Sequence, residues 1–307
     1  MAWNGIAARY YDYPIKVTAG ESAPSLTWAR YMFHRHQHWL ADREAMAAGL
    51  SSWRQSAKGC LNVAELEGRV AIVTGSSSGI GEAAARRLAD AGAQVVVNSA
   101  SSVAAGESVA ESLPTDSIYV QADISEQAQG IALVDAALRR FGRLDILVNN
   151  AGWTSPVPHE DLASLTDEIF RRTFDVNVFG TWWLTKAAMP HLRESPDGNV
   201  VNVTSIAGVR PIGSSIAYSM TKAALNQLTV LLAKSCGPVR VNAVAPGLVS
   251  TPWTADWDEM HELVANKAPL RRSATPDDIA RAVVTLVTNT YTTGEIMVVD
   301  GGLSLTI

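Results

Sequence analysis

Short apolar runs alternate with amphipathic stretches along the chain from about Leu61 to its end. Seven of these runs are rich in valine and isoleucine and have the length of strands. They cover residues 70–73, 94–97, 118–120, 144–148, 200–203, 239–244 and 295–299. Most are continuous in apolar residues rather than alternating, a pattern typical of parallel strands buried on both faces.

Helical patterns separate these runs. They cover residues 80–91, 125–141, 165–192, 215–235 and 276–288. Strands joined by helices predict right-handed crossovers, because a parallel strand is reached only by a connection across one face of the sheet. We therefore predict an α/β fold over residues 61–307, a doubly wound, Rossmann-like sandwich with a seven-stranded parallel sheet.

Residues 1–60 differ in composition from the rest and form an atypical N-terminal extension. They hold seven basic and four acidic residues, against 18 and 26 in the remainder, and four of the nine tryptophans. Residues 24–50 have the pattern of a helix with an aromatic stripe. A docking arm for another subunit, a cap over a pocket and a poorly ordered segment all remain open, as does a shorter natural start at Met46.

Composition excludes several classes of function. The net charge of −5 and the acidic body argue against a nucleic-acid partner. The sequence contains no run of about 18 apolar residues that would indicate a membrane span. Its two cysteines cannot form a disulfide framework, so we expect a cytoplasmic protein. We expect no metal site, because His34 and His38 would share a helix face but no cysteine or nearby carboxylate completes a ligand set.

The first predicted strand runs into the loop Thr74-Gly-Ser-Ser-Ser-Gly-Ile-Gly81, which opens a helix. Glycines let such a loop turn tightly and bring its backbone close to a diphosphate. The start of the helix offers free N–H groups and a positive dipole end to the anion. A glycine-rich loop alone could be a plain turn, but its place at the start of a βαβ unit favours a dinucleotide site.

Four further features follow in order. Asn149-Asn-Ala-Gly152 follows the fourth strand, Asn177 lies on the next helix, Ser205 lies just past the fifth strand, and Tyr218-Ser-Met-Thr-Lys222 begins thirteen residues later. A Tyr-x-x-x-Lys pair alone occurs by chance in many helices. Together with Thr-Gly-x-x-x-Gly-x-Gly, the set resembles the short-chain dehydrogenase/reductase family in its single-domain form.

The resemblance implies an NAD(P)(H)-dependent oxidoreductase that moves a hydride between a nicotinamide and a carbonyl or alcohol carbon. A tyrosine pKa near 10 is about three units too high for easy proton exchange at neutral pH, and a cation on the same helix face should lower it. We therefore expect Tyr218 to act as the acid/base, Lys222 to lower its pKa, and Ser205 to stabilise the substrate oxygen.

The same resemblance implies that Lys222 binds the ribose hydroxyls and that Asn177 anchors a water that relays protons. The alternative for Asn177 is a helix residue that fills a gap in backbone hydrogen bonding. Asp123 resembles a residue that contacts adenine, and it equally fits an N-cap of the helix that starts near Ser125. The expected cofactor-binding residues are Gly75, Ser77, Gly79, Ile80, Gly81, Asn98, Ser99, Asp123, Ile124, Asn150, Ala151, Gly152, Tyr218, Lys222, Pro246, Gly247, Val249 and Thr251.

The end of the second strand bears on the choice between NAD and NADP. It reads Asn98-Ser-Ala-Ser-Ser102, without the carboxylate that takes the ribose hydroxyls in NAD-selective folds. The glycine loop also lacks a basic residue for a 2′-phosphate. Neutral hydroxyls and Asn98 could hold that phosphate by hydrogen bonds, so we favour NADP(H), with NAD(H) as the alternative.

Apolar side chains dominate the segments that hold substrate in relatives. They are Trp153, Ile206, Val209, Ile212, Leu248, Trp253 and Trp257. These residues predict a small hydrophobic carbonyl compound or alcohol as substrate, although Trp253 and Trp257 could equally pack the fold. Residues 252–268 are expected to form a mobile flap.

Two other classes of function stay open. One is a catalytically silent NAD(P)-binding sensor or scaffold, against which the complete set of proton-transfer residues argues. The other is an epimerase or dehydratase on a related fold, which usually needs a longer C-terminal lobe. The resemblance also implies a homodimer or homotetramer joined by the helices around 181–184 and 215–235. Trp182 and Trp183 cannot both face one core, which supports a second buried surface.

Overall fold

The computed structural model describes residues 65–306. Its strands form one parallel sheet in the order β3-β2-β1-β4-β5-β6-β7. The strands are β1 (Val70–Val73), β2 (Gln94–Ser99), β3 (Ile118–Gln121), β4 (Ile146–Asn149), β5 (Asn199–Val203), β6 (Arg240–Pro246) and β7 (Ile296–Val299). The prediction of a doubly wound, Rossmann-like α/β fold is confirmed, and each predicted strand lies within two residues of its expected bounds. Predictions for residues 1–60, including the histidines and Met46, lie outside the described residues.

Helices cover both faces of the sheet. They are α1 (Gly79–Asp90), α2 (Val103–Ser112), α3 (Gln127–Phe141), α4 (Asp167–Phe174), α5 (Thr181–Glu194), α6 (Ile216–Ser235), α7 (Asp258–Lys267) and α8 (Pro276–Thr288). None of the helices within residues 65–306 is long and apolar enough to cross a bilayer.

Alternate residues of each strand supply two separate hydrophobic layers. In β1, Ala71 and Val73 belong to the layer that includes Leu88 of α1 and Val283 of α8. Ile72 points the other way, into the layer that includes Leu184 of α5. The strands are therefore buried on both faces, which explains why their sequences are continuous apolar runs rather than alternating ones.

The structure differs from the sequence prediction in three helices. α2 and α7 lack a clear apolar stripe, and Val264 is the one buried residue of α7, so neither showed helical periodicity. The segment predicted as one helix over 165–192 is broken by a π-helical turn, Asp175–Gly180, between α4 and α5. Gly180 in this turn passes so close to Ile124 that an added Cβ would lie 2.8 Å from the Ile124 carbonyl oxygen.

Candidate active site

The carboxyl ends of the strands open into one large cavity of about 1530 Å³. The register pairs Val73 of β1 with Val97 of β2 and Val148 of β4, so the loops after these strands leave the sheet at one level. Crossovers from β1 and β4 run to opposite faces of the sheet, and a crevice forms between them where ligands bind in open α/β sheets. The cavity therefore lies where the fold predicts a ligand site.

The glycine-rich loop forms one wall of the cavity. Gly75 and Gly79 both have φ near +61°, a conformation that favours glycine. A Cβ on Gly75 would lie 3.0 Å from the Ala151 Cα atom, so the loops after β1 and β4 touch through backbone. The Ser76 hydroxyl donates to Val73 O at 2.6 Å and accepts from Asn98 N at 3.0 Å. These hydrogen bonds fix the loop against the end of β2, with its backbone beside the first turn of α1.

Thr74 and Asn150 join the loop after β4 to the glycine-rich loop by hydrogen bonds. The Thr74 hydroxyl accepts from the backbone N–H groups of Asn150 and Ala151, both at 3.0 Å. Asn150 Nδ2 in turn donates to Thr74 O at 2.8 Å and to Gly75 O at 3.1 Å. Thr74 opens the glycine motif in the sequence, but nothing in the sequence pairs it with the loop after β4.

Tyr218, Lys222 and Ser205 meet on the floor of the cavity. Ser215 caps the start of α6 by accepting from Tyr218 N at 3.2 Å, and one helical turn later Lys222 is almost completely buried. The Lys222 Nζ atom donates to Val203 O at 2.9 Å and lies 5.5 Å from the centroid of the Tyr218 ring. Trp253 meets the same ring edge-on, with 6.4 Å between centroids.

The protein environment acts on both titratable groups. Burial raises the pKa of Tyr218 to about 12, and a hydrogen bond with Ser205 opposes this rise. Burial lowers the pKa of Lys222 to about 8. The direction for Tyr218 is opposite to the sequence-based expectation, because the loss of hydration on burial outweighs the hydrogen bond with Ser205.

Asn177 lies in the π-helical turn and is fully buried. Its Oδ1 accepts from Trp153 N at 2.7 Å, and its Nδ2 donates to Trp153 O at 3.0 Å and to the Thr221 hydroxyl at 3.0 Å. Thr221 passes the connection on by donating to Tyr218 O at 2.7 Å. The Asn177 side chain therefore bonds to the backbone of Trp153, and it does not itself border the cavity.

Comparison with known proteins gives this site a family. A family model described as enoyl-(acyl carrier protein) reductase matches residues 75–304. A ketoacyl reductase assigned to the granaticin polyketide synthase of Streptomyces violaceoruber is 55% identical over 243 residues, which cover 78% of this chain and 97% of that protein. The chain belongs to the short-chain dehydrogenase/reductase family.

Other relatives and solved structures of short-chain dehydrogenases/reductases agree. Glucose 1-dehydrogenase 2 of Bacillus subtilis is 36% identical over 78% of this chain and 96% of its own length. The aldohexose dehydrogenase structure from Thermoplasma acidophilum has a TM-score of 0.72 at 30% identity, covering 80% of this chain and 97% of that one. This short-chain dehydrogenase/reductase is thus an NAD(P)-dependent oxidoreductase that acts on CH–OH groups, as its sequence predicted.

The cavity of this dehydrogenase/reductase brings together all but one of the residues expected to bind cofactor. The exception is Gly81, which lies behind the glycine loop, where a Cβ would come 2.3 Å from Gly75 O. Asn98 borders the cavity, but its Nδ2 donates to Val120 O at 3.1 Å and to Ala122 O at 3.0 Å. Both amide protons are therefore used inside the protein, and the expected donation from Asn98 to a phosphate does not fit this arrangement.

Asp123 borders the cavity and also has a local structural role. Its Oδ1 accepts from Ser125 N at 2.9 Å and from the Ser125 hydroxyl at 2.7 Å. This is a turn just before α3, which begins at Gln127 with Glu126 as its N-cap. Asp123 is therefore not the N-cap itself, and its second carboxylate oxygen has no hydrogen-bond partner within the described residues.

The expected substrate residues line the other end of the cavity with one exception. Val209 packs outside it, against Ile206, Val264 and Leu303, because the short helix Ile206–Gly208 turns it toward α7. The segment expected to be a flap contains the turn Pro252–Thr254 and helix α7, and it supplies Trp253 and Trp257 to the cavity wall.

Sequence reasoning missed many residues of the cavity wall, among them His159 and Arg172. Arg172 is in the last turn of α4 and lies over the indole ring of Trp153, with 5.1 Å between the guanidinium carbon and the ring centroid. No motif marks it, because the π-helical turn that follows α4 changes the helix register between Arg172 and Asn177. Within residues 65–306, no group of three or more histidine, cysteine or acidic residues is placed to hold a metal ion.

Proposed function

We propose that this enzyme uses NADPH to reduce a ketone on a hydrophobic compound, with Tyr218 as the proton donor. The observation that carries this proposal is the meeting of Tyr218, Ser205 and Lys222 on the floor of a cavity that also contains the glycine loop. A proton donor, a polar group for the oxygen and a cation then adjoin one dinucleotide cradle, which is the arrangement that carbonyl reduction requires.

The residues of the chain divide the work of the reaction. A bound nicotinamide supplies the hydride. The Ser205 hydroxyl holds the carbonyl oxygen, and the Tyr218 hydroxyl gives its proton to that oxygen as negative charge develops on it. The Lys222 ammonium, fixed by Val203 O, stabilises the resulting phenolate and binds the ribose. Asn177 fixes the backbone of Trp153 beside the site, and we propose that its turn also supports proton return to Tyr218.

The pocket wall favours an apolar substrate. Trp153, Trp253, Trp257, Ile206 and Leu248 line the cavity around Tyr218. The name of the Streptomyces relative assigns it a ketoacyl group, which is an apolar chain with a ketone. A ketoacyl compound therefore suits the apolar walls around Tyr218, where burying a polyol would cost hydration of its hydroxyl groups.

Removing the Tyr218 hydroxyl tests the mechanism. We expect Tyr218→Phe to reduce ketone turnover by about 10²–10⁴-fold, the usual contribution of a general acid, while the dissociation constant for NADPH changes little. The matched control is Tyr291→Phe, because Tyr291 is fully exposed and outside the cavity. Turnover of Tyr218→Phe at the wild-type rate would refute the proposed role. Complete absence of turnover by the wild type, with NADPH bound, would favour a silent sensor.

The choice of NADP(H) over NAD(H) rests on the end of β2. Asn98, Ser99, Ala100 and Ser101 border the cavity there, and none of them carries a charge that would repel a 2′-phosphate. We expect NADPH to bind more tightly than NADH. Ala100→Asp should reverse this order, because a carboxylate repels the phosphate and accepts from ribose hydroxyls. Tighter binding of NADH by the wild type would refute the preference.

We also propose that two copies associate through α5 and α6. Phe179, Trp182, Met220, Val230 and Leu231 are all at least 40% exposed on these helices and the adjoining turn. Trp182 faces outward, while Trp183 is half-buried and stacks on Phe179 with 5.8 Å between ring centroids. Apolar side chains exposed together mark a surface that associates, and a second copy of the chain can cover this one.

A further inference from the structure

We propose that Arg172 and Trp153 form an anion-binding site that holds a carboxylate or phosphate group on the far end of the keto substrate. The proposal rests on the ketone reduction proposed above and adds a chemical class to it. The substrate would be an apolar chain with a ketone that reaches Tyr218 and an oxyanion that reaches Arg172.

The geometry of Arg172 suits recognition of an oxyanion. Its guanidinium lies over the face of the Trp153 indole, 5.1 Å from the ring centroid, and borders the cavity. This cation–π contact with the indole uses none of the five guanidinium N–H donors in a hydrogen bond. Two of these N–H groups match the two oxygens of a carboxylate or phosphate. The indole therefore holds the fork in place without using its donors.

Arg172 has no anionic partner among the described residues. Glu168 and Asp175 lie four residues before and three residues after it, at spacings that allow helical ion pairs, but neither lies within 4.0 Å of it. It donates no hydrogen bond to any residue between 65 and 306 either. By contrast, Arg69 and Arg87 are each paired with an aspartate.

The charges around the cavity direct an anion toward Arg172. Apart from the buried Lys222, Arg172 is the only lysine or arginine among the described residues that line the cavity. The acidic residues near the substrate end are Glu160, Asp256, Asp258 and Glu259. Because these carboxylates repel an anion, Arg172 is the one cation among the described residues at this end that a negatively charged substrate group can pair with.

The site lies close enough to the reacting groups to select substrate. Asn177 holds Trp153 through both its backbone N and its backbone O. A Cβ added to the preceding residue, Gly152, would lie 3.7 Å from the Lys222 Nζ atom and 3.8 Å from the Trp253 ring. Trp153 therefore contacts the Arg172 guanidinium and directly follows the residue beside Lys222, so we infer that an acyl chain lying along Trp153 connects the two groups.

The experiment compares two adjacent arginines of α4. Both side chains are exposed, but Arg172→Gln removes a charge that lines the cavity, while Arg171→Gln removes the same charge from a neighbouring position that does not. The probes are methyl ketones with a terminal carboxylate, from 5-oxohexanoate to 9-oxodecanoate, their methyl esters, and the phosphate monoesters of the matching keto alcohols. Steady-state kinetics with NADPH give kcat/KM, and calorimetry gives the affinity for each acid independently of turnover.

We expect Arg172→Gln to reduce kcat/KM and affinity about 10-fold or more for the charged probes, as for loss of a charge-assisted hydrogen bond. The esters should change by less than about twofold, since they make no such bond. Arg171→Gln should match the wild type with every probe. A larger effect on the carboxylates or on the phosphates identifies which oxyanion the site prefers.

Two results would overturn the site. Equal losses for acids and esters would show that Arg172 only packs the wall or pairs with an acid of the α7 segment. Unchanged affinity for all acids and phosphates in Arg172→Gln would show that no anion binds there. A wild type that binds the acids through Arg172 but reduces no ketone would refute the proposed reaction and leave the anion site standing, so the two failures are distinguishable.

Discussion

Gly81→Ala should damage the cofactor loop through a single methyl group. Gly81 lies in the first turn of α1 and faces the glycine loop. A Cβ at this position would lie 2.3 Å from Gly75 O, 2.5 Å from Asn150 Nδ2 and 2.9 Å from Gly75 C. Two of these atoms are backbone, and the third is the amide that ties the loops together, so no flexible side chain can move aside.

The size of the effect follows from these distances. Ordinary contact needs about 3.5 Å between such atoms, so α1 or the loop must move by about 1 Å. Overpacking of this kind costs about 1–3 kcal/mol. In a domain of this size each kcal/mol lowers Tm by about 2–4 °C, which gives a loss of about 2–12 °C. The same movement disturbs the Gly75 backbone, so we expect at least tenfold weaker NADPH binding, equal to about 1.4 kcal/mol.

Thermal unfolding and a fluorescence titration with NADPH measure the two effects. Gly130→Ala is the matched control, because Gly130 also lies in the first part of a helix, α3, and an added Cβ there meets nothing within 4 Å. That variant should gain about 0.5–1 kcal/mol of stability, the usual difference between glycine and alanine in a helix. If Gly81→Ala has the Tm and NADPH affinity of the wild type, the close contact with Gly75 is not a constraint.

Three further predictions concern other parts of the fold. Thr221→Val removes one of the two acceptors of the Asn177 amide and leaves that N–H buried without a partner, which costs about 1–3 kcal/mol; kcat should fall about tenfold, and Thr221→Ser should restore it. Ion pairs and hydrogen bonds lower the pKa of Asp145 and Asp197. The free energy of unfolding that these carboxylates contribute is present above about pH 4 and should fall as the pH drops further. Asp197→Asn should make this fall smaller, which the urea midpoints at each pH will measure. Trp182→Glu should produce monomers in sedimentation.

The sheet and the motifs were predictable because each depends on local sequence. A strand buried on both faces is a continuous apolar run, and β1 and β6 show this directly. The glycine loop and the Tyr218 helix were placed because their residues lie next to strand ends or on a long helix. The parallel order then brings those ends together without any further information from the sequence.

Contacts between distant loops were not predictable in the same way. Asn98 looked like a free donor at the end of β2, but the neighbouring β3 loop takes both of its amide protons. Val209 was expected to line the pocket, but it follows a short helix and its side chain packs outside the cavity, against the cluster that includes Val264 of α7. Arg172 was missed because its place beside Trp153 depends on a π-helical turn that apolar periodicity does not reveal.

The protonation of Tyr218 in the protein without cofactor suits the first step of the proposed reduction. With its pKa near 12, Tyr218 keeps its proton at neutral pH and can give it to a carbonyl oxygen at once. Oxidation needs the phenolate first, which at neutral pH costs several kcal/mol, since each pKa unit corresponds to about 1.4 kcal/mol. Lys222, with a pKa near 8, is still mostly charged at neutral pH and loses that charge as the pH rises. At neutral pH, Lys222 is therefore charged and can stabilise the phenolate that Tyr218 becomes during the proposed reduction. At the higher pH at which Tyr218 would become a phenolate and serve as the base for oxidation, Lys222 has lost that charge.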